Sequence, residues 1–202
     1  MIRILDFFFA LLGLILLSPL LLLIALLIKV SSFGPVLYKQ SRIGLKGVEF
    51  SVYKFRTMRL NSDKLGLITV GGRDPRVTPI GYFLRKYKLD ELPQLINVLT
   101  GVMSLVGPRP EVKKYVDLYN HEQSKVLTIR PGITDWASIY YRDENVILGQ
   151  SSDPEKDYIE KVMPDKLKYN LIYIENYGPV EYFKIIFSTL WHIVVPIKKW
   201  SD

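Results

Sequence analysis

The chain has 202 residues and a mass of 23.4 kDa, which leaves room for one domain with an appendage and excludes an enzyme of paired Rossmann halves or a many-helix membrane enzyme. It contains no cysteine, which excludes disulfides and thiolate metal sites and fits a reducing compartment. Most of the net charge of +7 comes from residues 29–60, where seven Lys and Arg residues stand against Glu49 alone. This block favours either the cytoplasmic side of a membrane, with its anionic headgroups, or a phosphorylated substrate. Nucleic-acid binding is not expected, because the sequence contains no nucleic-acid recognition motif.

The first element is a hydrophobic segment at residues 4–28, in which 21 of 25 residues are apolar. As a helix it would be about 37 Å long, against about 30 Å of hydrocarbon in a bilayer, so we predict a membrane helix. A signal peptide does not fit, because its apolar region would be much shorter. Pro19 removes the hydrogen bond to the Ile15 carbonyl, which the Ser18 hydroxyl is placed to satisfy. Two geometries stay open: a kinked span, or a helix that breaks at Ser18 and Pro19 and returns to the side it entered.

After this segment the pattern predicts two strands, a loop and two helices. Aromatic and β-branched residues predict strands at 36–38 and 50–55 around a turn at 44–47. A polar, glycine-rich loop is expected at 61–75. Thr78 followed by Pro79 is typical of a helix start, and a second helix is expected from Pro93 to a stop at Gly101.

The C-terminal half is predicted to be mainly helical. A strand at 102–106 leads into the Gly-Pro-Arg-Pro sequence at 107–110, and a helix at 111–127 precedes a turn at 130–132. Residues 153–174 are predicted as a helix with a break at Pro164. Residues 180–200 are aromatic and apolar with a basic end, which fits either a helix in the headgroup region or an ordinary core helix.

Two adjacent carboxylates, Asp90 and Glu91, stand out in the run RKYKLDELP at residues 85–93. They precede a helix start whose dipole favours ionised side chains, and this charge complementarity is one explanation of the pair. The other is catalytic: an ionised Asp acts as nucleophile while its neighbour holds a divalent ion. Arg109 is flanked by two prolines that fix its backbone, which suits either a rigid turn or bidentate binding of a phosphate.

Several motifs occur in a fixed order along the chain. They are KFRTM at 54–58, DPRVT at 74–78, LDELPQL at 89–95, NVL at 97–99, MSLVGPRP at 103–110 and RPGIT at 130–134. This order resembles the bacterial sugar transferase family, the small monotopic phosphoglycosyl transferases. The resemblance covers nearly the whole chain, and the LDELP and SLVGPRP motifs are highly specific to that family.

The resemblance implies an α+β, mainly helical fold. Residues 1–30 would form a re-entrant membrane helix broken at Ser18 and Pro19. Residues 31–202 would form a compact cytoplasmic, membrane-associated catalytic domain with short strands and interfacial amphipathic helices. The expected location is the cytoplasmic face of a bacterial inner membrane, with membrane lipids as contacts and downstream glycosyltransferases as candidate partners.

The implied reaction transfers a phosphosugar from a UDP-sugar to polyprenyl (undecaprenyl) phosphate and releases UMP. By resemblance, Asp90 is the nucleophile that forms an aspartyl-phosphosugar intermediate, and Glu91 helps to hold Mg²⁺. Three cations match family positions implicated in phosphate binding, and a fourth is a candidate phosphate or uridine contact: Lys54, Arg85 and Arg109, and then Arg142.

The sequence departs from the family pattern at Val102, at Asn170 and within residues 135–142, where Trp136, Ala137 and Arg142 match it. The loop at 135–142 therefore leaves the sugar unassigned. Two alternatives remain: a membrane-anchored, lipid-binding scaffold without catalysis, and a phosphohydrolase that acts on a lipid diphosphate at the same site.

Overall fold

The N-terminal apolar segment forms one long helix, α1, in a computed structural model that describes residues 1–60, 62 and 74–195, with 193 and 194 as backbone alone. Helix α1 is Ile2–Ser31 and continues through Pro19, so the predicted break at Ser18 and Pro19 was wrong. The Ser18 hydroxyl donates to the Ile15 carbonyl at 2.8 Å, which confirms that it satisfies the acceptor that the proline frees. By length and composition α1 is able to cross a membrane, and 11% of its most apolar stretch is buried inside the protein.

Both ends of α1 are tied to the rest of the chain by polar contacts. Near the start, the Arg3 guanidinium donates to the carbonyls of Val98 and Leu99, the latter at 2.8 Å. Near the end, Arg56 donates to the carbonyls of Ser32 and Phe33 at 2.9 and 2.8 Å. Between these ends one strip of the helix packs on the folded part of the protein, and most of the remaining apolar side chains are exposed.

The two N-terminal strands form an antiparallel hairpin, β1 (Leu37–Ile43) with β2 (Glu49–Phe55), in which Leu37 pairs with Phe55 and Ile43 with Glu49. The predicted first strand was too short. It continues through the polar residues 39–42, since one face of a two-stranded sheet can remain in solvent.

The helices on either side of the acidic pair are where the sequence predicted them. Helix α2 is Pro79–Lys86, and its cap Thr78 accepts a hydrogen bond from the Gly81 N–H at 3.1 Å. A 3-10 turn, Leu89–Glu91, carries the acidic pair. Helix α3, Gln94–Thr100, ends at Gly101, whose φ of 89° is the left-handed conformation of a helix stop. The predicted loop at 61–75 lies mostly outside the described residues.

A two-stranded parallel sheet follows, β3 (Ser104–Val106) with β4 (Gly132–Thr134). The predicted helix at 111–127 was wrong in extent, because the chain forms α4 (Lys113–Val116) and a separate 3-10 turn (Gln123–Thr128). Asn120 and Gln123 exchange side chain to backbone hydrogen bonds at 2.9 and 3.0 Å. This reciprocal cap starts a new turn and competes with continuation of α4.

The C-terminal third, described up to residue 195, contains five helices there: α5 (Trp136–Tyr140), α6 (Glu144–Leu148), α7 (Pro154–Asp157), α8 (Met163–Glu175) and α9 (Pro179–Val194). The predicted break at Pro164 was wrong. A wide π-turn, Tyr158–Val162, joins α7 to α8, and Pro164 lies in the first turn of α8, where no N–H is needed. The described part is thus mainly helical with two small sheets.

Candidate active site

Asp90 and Glu91 lie next to each other on the 3-10 turn but have different surroundings. Asp90 is 8% exposed, and its Oδ1 accepts no hydrogen bond from any described residue. Glu91 is paired with two cations: its Oε1 lies 3.2 Å from the Lys54 ammonium, and Arg109 donates to both of its oxygens. One carboxylate is therefore fixed by partners, while the other has a free oxygen.

The electrostatics separate the two carboxyls further. Burial would raise the pKa of Glu91, but the charges of Arg109 and Lys54 outweigh it and hold that pKa well below its ordinary value. Burial raises the pKa of the Asp90 carboxyl and the neighbouring Glu91 charge adds to the rise, while Lys54 and Arg85 oppose it. Environments that shift the pKa values of two neighbouring carboxyls in opposite directions are typical of sites in which the two carboxyls have different roles.

The cations predicted at the site converge on this turn. Burial lowers the pKa of Lys54, which comes from β2, although Glu91 opposes that effect. Arg85, from α2, donates through Nε to the Thr57 hydroxyl at 2.9 Å, and its charge acts on Asp90. Arg109 arrives from the loop after β3, and the charge of Glu91 raises its pKa. Three separate elements therefore bring positive charge to one point.

The loop that carries Arg109 is held by close backbone packing. Gly107 donates to the Thr134 carbonyl, and Gly132 donates to the Pro108 carbonyl, each at 3.0 Å. A Cβ on Gly132 would lie 2.1 Å from the Gly107 nitrogen, so the two segments approach this closely only because both residues are glycine.

Asp135 is a site residue that the sequence prediction missed. It is fully buried; one carboxylate oxygen accepts from the Ser138 N–H and caps α5, and the other accepts from the Arg109 N–H at 3.2 Å. The sequence signal was an aspartate directly before a short helix, in the stretch that departs from the family pattern. We conclude that Asp135 fixes the backbone of Arg109.

All six predicted site residues line one cleft of about 860 Å³: Lys54, Arg85, Asp90, Glu91, Arg109 and Arg142. Arg142 lies at the end of the cleft nearest α9, where its guanidinium donates to the His192 carbonyl. The described lining contains nine Lys and Arg residues against four Asp and Glu residues, so the cleft is positively charged. A cleft of this size and charge can accept a phosphorylated ligand.

The acidic pair can also provide ligands for a metal ion. Carboxylate oxygens are what Mg²⁺ prefers, and a Mg²⁺ site commonly uses one or two carboxylates together with substrate phosphates. Asp90 offers an oxygen without a partner in the described part, and Glu91 is held in its ionised form. Within the described ranges no group of three or more His, Cys, Asp or Glu side chains is gathered, either at this pair or elsewhere. The pair thus fits a metal that is completed by its substrate.

The two other departures from the family pattern, Val102 and Asn170, differ from each other in exposure. Val102 is 40% exposed beside the end of α3. Asn170 is buried in α8, and its Oδ1 accepts no hydrogen bond within the described part of the chain. The structure gives no reason for the replacement of an acid by Asn170.

The comparison with known families agrees with this site. The model of the family described as "Bacterial sugar transferase" matches residues 1–196, so the chain belongs to that family. A UDP-glucose:undecaprenyl-phosphate glucose-1-phosphate transferase of Escherichia coli (strain K12) is 40% identical over 189 residues, which cover 92% of this chain and 38% of that protein. The "Exopolysaccharide production protein PSS" of Rhizobium leguminosarum bv. phaseoli is 37% identical over 199 residues, which cover 93% of this chain and 92% of that protein.

A third relative carries another sugar in its name. The UDP-N-acetylgalactosamine-undecaprenyl-phosphate N-acetylgalactosaminephosphotransferase of Aeromonas hydrophila is 38% identical over 188 residues, which cover 92% of this chain and 41% of that protein. The chain therefore spans about two fifths of the length of the Escherichia coli and Aeromonas relatives.

Proposed function

We propose that this protein transfers a phosphosugar from a UDP-sugar to polyprenyl (undecaprenyl) phosphate, with release of UMP. The observation that carries the proposal is the carboxylate of Asp90, a residue that lines a cation-rich cleft and whose buried Oδ1 has no hydrogen-bond partner in the described part of the chain. The names of the relatives support the two substrates. The product, a polyprenyl-diphospho-sugar, would be the substrate of downstream glycosyltransferases.

In the first step an oxygen of Asp90 attacks the β-phosphorus of the UDP-sugar. The bond between that phosphorus and the bridging oxygen breaks, UMP leaves with the oxygen, and an aspartyl-phosphosugar ester remains. Arg85 and Lys54 lie beside Asp90 and can bind the phosphate oxygens, which neutralises charge on the diphosphate. The Glu91–Arg109 pair, which is fixed by two hydrogen bonds, helps to orient the diphosphate.

In the second step an oxygen of polyprenyl phosphate attacks the same phosphorus. The ester bond to Asp90 breaks and regenerates the carboxylate. One phosphoanhydride has then replaced another, so the main requirements are positioning and charge neutralisation, which the convergent cations provide.

Mg²⁺ is part of the proposal, with Glu91 as its protein ligand and Asp90 kept as the nucleophile. When bound, the ion would neutralise charge on the diphosphate. Chelator is expected to stop the reaction, and excess Mg²⁺ to restore it.

We also propose that α1 is re-entrant, with both ends on the cytoplasmic face of the inner membrane. The support is that Arg3, near the start of α1, donates to the Leu99 carbonyl, and that the Ser32 carbonyl, just after the end of α1, accepts from Arg56, so both ends contact the same folded part of the chain. A helix that crossed the bilayer would place the hydrocarbon core between its two ends, so these shared contacts favour the re-entrant course.

The native chain is free of cysteine, so single labels test this topology. One cysteine is added before Met1, one replaces the exposed Phe33, and one replaces Lys113 on the folded part. A membrane-impermeant maleimide on oriented vesicles should reach all three from the same side. Labelling of the first from the opposite side would refute the re-entrant course.

The activity test incubates detergent-solubilised protein with Mg²⁺, polyprenyl phosphate and a panel of UDP-sugars, and measures UMP release. Asp90→Asn should abolish release, while the matched exposed control Asp117→Asn keeps it. Without acceptor, intact mass spectrometry should detect the wild-type chain with one added phosphosugar. Retention of a few per cent of turnover by Asp90→Asn would contradict the nucleophile assignment.

The same experiment separates the alternatives. Supplied with a lipid diphosphate in place of these substrates, a phosphohydrolase would use water to release the lipid monophosphate and inorganic phosphate without any UDP-sugar. A lipid-binding scaffold would give no UMP, and Asp90→Asn would change only its stability.

A further inference from the structure

One wall of the cleft is built from charged side chains that neutralise each other. This paired wall consists of Arg42, Glu111, Glu144, Tyr158 and Lys166, all of which line the cleft. Lys166 Nζ lies 2.6 Å from Glu144 Oε2, and Arg42 lies 3.4 Å from Glu111. The Tyr158 hydroxyl donates to Glu111 at 2.8 Å, and its ring centroid lies 5.4 Å from Lys166 Nζ.

The charges of the paired wall are compensated, in contrast to the excess of positive charge around Asp90 in the same cleft. Side chains of both ion pairs are 14 to 25% exposed, so they are largely removed from bulk solvent while still reaching the cleft. Because each positive charge has a carboxylate beside it, the wall attracts a phosphate weakly. An ammonium has three N–H donors and a carboxylate about four acceptor sites, so each pair keeps capacity to donate and accept further hydrogen bonds.

The paired wall adjoins the reacting groups. The charge of Glu144 is among those that raise the pKa of Arg109, and the charge of Arg42 acts on Lys54. Arg42 also donates to the Pro110 carbonyl, next to Arg109, at 3.2 Å, and both pairs line the cleft that contains Lys54 and Arg109. A ligand whose phosphate is at Asp90 therefore shares one cleft with this wall, where its attached neutral group can contact it.

We infer that the Glu144–Lys166 pair in this wall binds the hydroxyl groups of the transferred sugar and discriminates between donors. The inference rests on the proposed function and deepens it. A sugar hydroxyl both donates and accepts, which matches a fixed, charge-compensated donor–acceptor pair. Loss of such a hydroxyl, or its inversion, leaves the remaining donor and acceptor sites of this largely buried pair unsatisfied, and this is a source of discrimination.

The test measures kcat/KM for UDP-glucose, UDP-galactose, UDP-N-acetylglucosamine and UDP-N-acetylgalactosamine, together with inhibition by UMP. The variants are Glu144→Gln and Asn145→Ala, the latter an exposed cleft residue next to Glu144 that is expected to fold normally. The matched control is Glu122→Gln, which removes one partner of an exposed ion pair with Lys125. Donor affinity is also measured by titration calorimetry on the Asp90→Asn protein, with and without each change.

We expect Glu144→Gln to change the kcat/KM ratio between C4 epimers at least tenfold, equivalent to about 1.4 kcal/mol, with UMP inhibition within about twofold of wild type. Asn145→Ala should change the ratio in the same assay, and Glu122→Gln should not. Equal losses for all donors, an unchanged ratio, or a matching loss of UMP affinity would overturn the sugar assignment. If wild type releases no UMP from any donor, the proposed function fails. The inference then stands only if Glu144→Gln alters relative donor affinity in the Asp90→Asn background.

Discussion

Replacement of Asp135 tests how Arg109 is positioned in the site, because this one buried carboxylate accepts hydrogen bonds from the backbone N–H groups of both Arg109 and Ser138. In Asp135→Ala, α5 loses its cap, which costs about 1 kcal/mol. The Arg109 N–H also loses its acceptor, at a further cost of about 1–2 kcal/mol. The total of about 2–3 kcal/mol corresponds to a fall in melting temperature of about 4–12 °C for a domain of this size.

The conservative variant separates the two roles of Asp135. Asparagine caps helices about as well as aspartate, but its amide has a single acceptor oxygen. Asp135→Asn should therefore keep the contact with Ser138 and lose the one with Arg109, at about half the cost in stability. The matched control is Asp153, which caps α7 by accepting from the Lys156 N–H at 3.1 Å and does not line the cleft in the described part of the chain.

The assay is UMP release together with thermal unfolding in the same detergent. A displacement of about 1 Å at a catalytic group can cost about 10²-fold, so a lower kcat is expected for both Asp135 variants, with Asn the milder. Asp153→Ala should lower the melting temperature and leave kcat/KM unchanged. If Asp135→Ala unfolds earlier but keeps the wild-type kcat, Asp135 has only a structural role and the reasoning is wrong.

Three further predictions concern the acidic pair and its support. Because the folded-state pKa of Asp90 is raised, its ionised form destabilises the protein above that pKa, so Asp90→Asn should raise the melting temperature at pH 7. Glu91 has a lowered pKa, so its charge stabilises above about pH 4.5 and the effect is lost as the pH falls through the folded value. Glu91→Gln should accordingly cost about 3 kcal/mol at pH 7 and progressively less toward pH 3, as denaturation midpoints will show. Gly132→Ala should destabilise by about 3 kcal/mol through its clash with Gly107, whereas Gly178→Ala, with its nearest atom at 3.8 Å, should have a much smaller effect in the same melts.

The elements predicted well from the sequence are those with strong local signals. Thr78 with Pro79 and the stop at Gly101 are determined by capping and backbone conformation within a few residues, and both helix boundaries were confirmed. The predictions failed where local signals compete. The reciprocal cap of Asn120 and Gln123 interrupted a predicted helix, and Pro164 continued one because it falls in a first turn.

The site was predictable in its composition but not in its internal bonding. The six site residues were named from motifs and from the resemblance, and the structure places all of them along one cleft. Their pairing depends on long-range contacts that spacing does not encode. Glu91 bonds to Lys54 and Arg109, 37 and 18 positions away, and Arg109 in turn depends on Asp135. The paired wall was missed for the same reason, since Glu144 and Lys166 are 22 positions apart.

The position of Asp90, the proposed nucleophile, is linked to α1 through the core. Leu89, the residue before Asp90, packs with Ile24 and Ile28 of α1 in one apolar cluster, so the acidic turn rests on the membrane segment. On another side the cleft is lined by Leu190 of α9, which is 56% exposed. Under the proposed function, a lipid phosphate held at a bilayer surface would approach Asp90 past Leu190, while a water-soluble diphosphate would enter beside the cations. One carboxylate would then serve a donor and an acceptor that come from different phases.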